Sequence, residues 1–184
     1  TGCTVVGPGA DRARIPGIDV EVGDGDVYRF GEASAQVFFV PGHTRGHIAY
    51  WFAESEALFV GDTIFALGCG RLFEGTPAQM WSSLERLRGL PGTTRLYCAH
   101  EYTQSNARFA LTVEPGNRAL GARARAIDAA RAAGRPTVPS TLAEERETNP
   151  FLRPESPEIR RRLNLEAADA ATVFAAVRRL KDNF

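Results

Sequence analysis

The chain is poor in the residues that build metal and redox centres. Its 184 residues include three histidines and three cysteines, and no HxHxDH or HExxH cluster occurs anywhere. Cys3, Cys69 and Cys98 are odd in number and lack CxxC spacing, which excludes a disulfide framework and favours a reduced, cytoplasmic setting. No run approaches the ~18 apolar residues of a membrane span, and no signal-peptide pattern opens the sequence, so no membrane partner is expected. Net charge is zero, which removes the basic excess expected of a nucleic-acid binder. Lysine is almost missing: Lys181 is the one lysine among 22 basic residues.

What remains is ordinary globular material, 43% hydrophobic, enough for a sizeable core. Three apolar runs end on polar side chains able to hold a metal. They are Gln36-Val-Phe-Phe-Val-Pro-Gly-His43, Ala57-Leu-Phe-Val-Gly-Asp62 and Arg95-Leu-Tyr-Cys-Ala-His100. Each reads as a buried strand, and in open α/β sheets ligands gather beyond the carboxyl ends of strands. His43, Asp62 and His100 are thereby expected at one sheet edge. Each also has a plainer reading: a loop histidine bonded to its own turn, or an acid capping a helix. Three candidates fall short of the roughly four donors that one zinc takes.

The organisation changes along the chain. Residues 18–40 predict a hairpin or meander, Ile48 to Phe52 a further strand, and Thr76 to Gly89 a helix with Thr76 as cap, Pro77 first and Gly89 as stop. Thereafter the pattern is helical: Thr103 to Val113, Asn117 to Ala133, a capping box at Thr141-Leu-Ala-Glu144, a start at Ser156-Pro157, and a last helix from about Glu166 to Asp182. Two domains are expected, 1–108 of α/β character and 109–184 helical. The first carries 9 Arg against 12 acidic residues, the second 12 Arg and Lys181 against 10. Because the chain opens on Thr1 followed closely by the strand-like Cys3 to Gly7, residues upstream are expected to be absent.

The sequence resembles glyoxalase II, the hydroxyacylglutathione hydrolase family of the metallo-β-lactamase fold. The likeness rests on Pro41-Gly-His-Thr-Arg-Gly-His47, Phe59-Val-Gly-Asp-Thr63, Gly68-Cys-Gly-Arg-Leu-Phe-Glu-Gly75, Cys98-Ala-His-Glu-Tyr-Thr103, Val113-Glu-Pro-Gly-Asn117, Val138-Pro-Ser-Thr-Leu142, Asn149-Pro-Phe-Leu152 and Arg178-Arg-Leu-Lys-Asp182. The first two are shared across the superfamily; the later six are specific to glyoxalase II. The resemblance implies a partial αββα sandwich followed by a C-terminal helical domain, an α/β (α+β) chain. The family's HxHxDH motif would precede Thr1, and Phe73 stands where the family often has tyrosine.

By this resemblance His43 and His100 each ligate one of two divalent cations, zinc foremost with iron or manganese as alternatives, and Asp62 bridges them as the catalytic carboxylate. His47 is expected to orient the ligands. Arg71, Phe73, Tyr102, Arg178 and Lys181 fall on substrate-binding positions, with Arg178 and Lys181 three residues apart as a carboxylate clamp; alternatively the pair only complements a helix dipole. The implied activity is hydrolysis of S-D-lactoylglutathione to D-lactate and glutathione by a monomer, the small-molecule thioester being its partner. The rival expectations are a metal-poor fragment that binds glutathione conjugates, and another enzyme of the fold such as a sulfur dioxygenase.

Overall fold

The computed structural model describes residues 2–184. A six-stranded sheet forms its frame, in the order β10 (Ser140–Thr141), β9 (Arg95–Cys98), β6 (Ala57–Gly61), β5 (Ile48–Phe52), β4 (Ala33–Phe39), β3 (Val27–Phe30). Only β6 and β9 pair in parallel; the other neighbours are antiparallel. The short pairs β1 (Val6–Pro8) with β2 (Val20–Val22) and β7 (Ile64–Phe65) with β8 (Gly68–Cys69) stand apart from it.

Residues 18–22 depart from the expected meander. The carbonyl of Val5 accepts from the Asp19 and Val20 amides, and the Asp19 carboxylate takes the Val5 N–H. That exchange commits the run to β1, in parallel, before it can turn toward β3. The hairpin that does form is β3–β4, closed over Gly31 and Glu32, where Gly31 takes the positive φ of 59°.

Alternation along the strands decides the two faces of the sheet. Phe38, Ala49, Leu58, Val60 and Leu96 point to one side and share a buried cluster with α1 (Pro77–Arg88) and α6 (Ala170–Asp182). Helix α1 starts at a complete capping box between Thr76 and Gln79 with Pro77 in its first turn, and its Met80, Trp81, Leu84 and Leu87 are buried at helical spacing. Trp81 meets Phe174 of α6 at 6.2 Å between ring centres. Fully burying one such aliphatic or aromatic side chain contributes about 1.5–3 kcal/mol. On the opposite face Tyr50, Phe59 and Tyr97 form one cross-strand row, with Phe59 stacked on Tyr97 at 4.9 Å and 45% exposed.

The remaining helices are α2 (Thr103–Val113), α3 (Arg118–Ala132), α4 (Leu142–Thr148) and α5 (Pro157–Leu163). Asn117 and Ser156 cap α3 and α5, and the capping box predicted at Thr141 and Glu144 is formed in full. The last helix starts later than predicted, at Ala170 rather than Glu166. Asn164 ends α5 in the left-handed region, the Arg160 guanidinium takes the carbonyls of Glu166 and Ala168, and Asp169 caps the new helix through the Thr172 amide. Those carbonyls are therefore bound by a side chain instead of a helical turn. Between α2 and α5, the buried Glu114 carboxylate accepts two bonds from Arg153 and one each from Asn117 and Ser156. Burial alone would raise the pKa of Glu114, but these donors together hold it below the ordinary value.

Candidate metal centre

Strands β4, β6 and β9 run in the same direction, because β5 is antiparallel to both β4 and β6 and β9 is parallel to β6. Their carboxyl ends consequently share one edge. His43 stands in the loop after β4, Asp62 follows β6, and His100 follows β9. His43 Nε2 lies 3.2 Å from Asp62 Oδ2, and His100 Nε2 lies 3.5 Å from Asp62 Oδ1. Each imidazole thus faces its own carboxylate oxygen. Neither contact is aligned as a hydrogen bond, and Asp62 Oδ1 is a buried acceptor without a hydrogen-bond partner among the described residues.

The surrounding backbone sets ring orientation. His43 Nδ1 meets the Arg71 carbonyl at 2.9 Å, so the proton belongs on Nδ1 and the Nε2 lone pair points at Asp62. His47, expected to orient the ligands, accepts the Asp62 amide on Nε2 at 3.2 Å, with its Nδ1 3.1 Å from the Ile48 carbonyl. Burial pushes its pKa down, in keeping with a neutral ring that accepts on one nitrogen and donates from the other.

Two glycines leave room for these contacts. Gly70 approaches so closely that a Cβ would lie 2.0 Å from the Asp62 carbonyl oxygen, and Gly61, at φ 50°, would place one 2.6 Å from His47 Cε1. Gly61→Ala is expected to cost about 1–3 kcal/mol of stability through its positive φ, with a further loss from displacing His47. Urea unfolding monitored by circular dichroism reads the first, and metal content of the folded fraction reads the second.

The eight residues expected to hold metal or substrate line one cleft of ≈ 450 Å³: His43, Asp62, His100, Arg71, Phe73, Tyr102, Arg178 and Lys181. Tyr102 stacks on His100 at 4.9 Å and 20°, and Phe73 packs 5.0 Å from the His43 ring while remaining 69% exposed. The two C-terminal cations stand differently. Arg178 is 4% exposed, donating to the Cys69 carbonyl at 2.9 Å and pairing with Asp182 at 3.0 Å. Lys181 is paired with no acid among the described residues: its Nζ sits 5.1 and 4.9 Å from the ring centres of Phe109 and Phe184, and burial together with Arg178 and Arg71 lowers its pKa. Arg71 reaches Asp182 at 3.8 Å.

Phe65, Cys69, Ser105 and Asn106 complete the lining and were not anticipated as site residues. Ser105 and Asn106 had a legible signal, since they lie in the first turn of the helix predicted directly after His100. Burial pushes the Cys69 thiol up to about 11 despite the nearby Arg178, which leaves it protonated and a poor nucleophile.

Among the described residues no group of three or more His, Cys, Asp or Glu side chains is arranged to hold a single ion. The contacts agree with that result, because the three candidates divide into two pairs sharing Asp62. An imidazole and one carboxylate oxygen per position suit a borderline divalent cation, and the unpartnered Oδ1 is an acceptor that such a cation would satisfy. The residues therefore fit two cations, with two donors offered to each.

A sheet with a polar edge of this composition and helices on one face defines a metallohydrolase of the metallo-β-lactamase superfamily, which residues 5–100 match; residues 101–184 match the family described as hydroxyacylglutathione hydrolase C-terminus. That superfamily implies dependence on divalent metal. Over all 184 residues the chain is 63% identical to a hydroxyacylglutathione hydrolase of Methylococcus capsulatus and 58% identical to one of Maricaulis maris, covering 72% of each. The chain belongs to the hydroxyacylglutathione hydrolase family. Among solved structures, ETHE1 from Myxococcus xanthus aligns over 97% of this chain and 65% of its own, with 25% identity and a TM-score of 0.59. The BLEG-1 B3 metallo-beta-lactamase aligns over 79% of this chain and 56% of its own, at 21% identity and a TM-score of 0.51, a likeness of fold alone.

Proposed function

We propose that the cleft hydrolyses the thioester of S-D-lactoylglutathione, releasing D-lactate and glutathione. The observation that carries this reading is Asp62 set between His43 and His100, one oxygen toward each ring. Bound divalent cations, zinc foremost with iron or manganese as alternatives, would polarise the thioester carbonyl and bring the pKa of water from 15.7 to about 7. His43, Asp62 and His100 would hold them, and the bonds from His43 to the Arg71 carbonyl and from the Asp62 amide to His47 would keep both donors aimed.

The other residues bind and orient. Phe73 and Tyr102 form aromatic walls beside the two imidazoles, against which the substrate would pack. Lys181 and Arg71 offer cations to the carboxylates of the glutathione part, and Arg178 shapes the floor by holding the Cys69 carbonyl. Water adds to the acyl carbon, the carbon–sulfur bond breaks, and the leaving thiolate takes up the proton. A thiol with a pKa near 8.5 needs no strong general acid to depart. A division of labour between residues 1–108, which hold the metals, and 109–184, which supply Lys181 and Arg178, belongs to the same reading, as do a monomeric state and a cytoplasmic location.

The test is loss of thioester absorbance with D-lactate and free thiol measured in parallel, after loading with zinc, iron or manganese. Equal amounts of both products are expected, with no oxygen consumed. With two donors per cation among the described residues, this chain by itself is expected to hold metal weakly and turn over slowly. Oxygen uptake without thiol release would replace the hydrolase reading with an oxygenase one.

A further inference from the structure

The motif at 149–152 and the buried acid Glu145 contribute no side chain to the cleft, yet Asn149 and Glu145 meet its floor. Leu67, at the tip of the turn between β7 and β8, holds φ 58°, a region that side chains other than Gly, Asn and Asp rarely adopt, and it is fully buried. The helical half binds this turn at four backbone groups. Glu145 Oε2 accepts the Leu67 N–H at 2.9 Å. Asn149 Nδ2 donates to the Phe65 and Gly68 carbonyls at 3.3 and 3.1 Å, and Asn106 Nδ2 to that of Ala66 at 3.1 Å. Glu145, itself 0% exposed, is paired with Arg123 and also takes a 3.0 Å bond from Asn149. The Leu67 side chain is packed among Ala107, Ala110, Leu120, Ala124 and Ile127 of α2 and α3.

The flanks of this turn are the cleft. Phe65 contacts the His100 and Tyr102 rings at 6.0 and 5.4 Å, Cys69 carries the carbonyl that Arg178 grips, and Asp62 lies two residues before Ile64. We infer that Glu145 is a positioning residue: through Leu67 and Asn149 it locks the β7–β8 turn in a strained shape, and so sets Phe65 and Cys69 against the His43–Asp62–His100 edge. The inference rests on the hydrolase reading for its kinetic consequence and on geometry alone for its structural one. Each carboxylate oxygen of Glu145 faces only donors, so an amide in its place turns one donor against another.

The decisive variant is Glu145→Gln, with Glu114→Gln as its counterpart in the other buried acid cluster, which touches no part of the turn. Hydrogen exchange is measured first, without substrate: peptides covering 62–70 are expected to exchange at least tenfold faster in Glu145→Gln, with those covering α1 unchanged. Metal-loaded enzyme, assayed well below its Tm, is then expected to lose at least tenfold in kcat with KM within twofold. Glu114→Gln, with a comparable fall in Tm, should keep kcat within twofold. If Glu145→Gln does not fold, Asn106→Ala, which removes the bond to Ala66 but also part of the cleft wall, is read by hydrogen exchange without substrate, where peptides covering 62–70 should again exchange faster by a smaller factor. Unchanged exchange over 62–70, or equal kcat losses in the two acid variants, would overturn the assignment. A wild type that exchanges as expected but hydrolyses no thioester would instead refute the hydrolase reading and leave the latch standing.

Discussion

Asp62→Asn is expected to lower thioester hydrolysis by about 10²-fold or more and to remove most of the bound metal, with Tm unchanged or raised. Asparagine keeps the size and one carbonyl oxygen, but it presents an NH₂ group to one of the two imidazoles and carries no charge. Loss of a group that merely orients a ligand already costs about 10–100-fold in metal affinity or activity, and Asp62 touches both histidines directly. Stability should not suffer, because the carboxylate has a buried oxygen without a hydrogen-bond partner among the described residues, a desolvation cost that asparagine reduces. Metal analysis by atomic emission and the thioester assay read the first effect, calorimetry of the metal-free protein the second. Near-wild-type turnover with full metal content would remove Asp62 from the centre.

Lys181→Ala is expected to raise KM for the glutathione thioester about tenfold while changing kcat less. A charged hydrogen bond is worth about 1.5–3 kcal/mol, and a carboxylate remote from the thioester is held alike in ground and transition states. Lys181 stands between two aromatic rings with no acid among the described residues neutralising it, so its charge is available to a ligand. Arg178→Ala should behave differently and lower Tm as well, since the buried guanidinium satisfies the Cys69 carbonyl, and an unsatisfied buried acceptor costs about 1–3 kcal/mol. A thioester without the glutathione moiety should show no KM change in Lys181→Ala. Equal losses on both thioesters would mean that the lysine supports the helical half rather than the substrate.

Much of the helical half is legible from local chemistry. Thr76 and Thr141 cap the helices that they were expected to cap, and Asn117 and Ser156 cap helices whose starts were expected there, because a capping bond joins residues three apart and needs no distant partner. The late start of α6 was not legible, since Arg160 captures two carbonyls that the local pattern assigned to the helix. The 18–22 strand failed for a related reason: its alternation is real, but Val5 and Asp19 chose its neighbour. A strand's pattern states that it pairs, not with which partner.

The same division runs through the site. The residue types and the polar ends of three apolar runs were enough to nominate His43, Asp62 and His100, because a buried strand must leave the sheet where its apolar run stops. That the three ends meet was decided by strand direction, the antiparallel β5 being the element that returns β6 to the direction of β4. Tertiary structure also separated the two C-terminal cations. Their spacing puts Arg178 and Lys181 on one side of a helix, yet Arg178 is consumed by a carbonyl 109 residues away in sequence while Lys181 stands between aromatic rings. Glu145 lies further still from legibility: in the sequence it is one acid in an exposed-looking Ala-Glu-Glu-Arg-Glu run, and only the fold buries it against the strained Leu67. Contacts within a turn or two follow from short-range sterics and hydrogen bonding, so the sequence determined the caps, the periodicities and the residue types of the site. Which strand lies beside which, and which charge is left free, depends on long-range packing that no local pattern encodes.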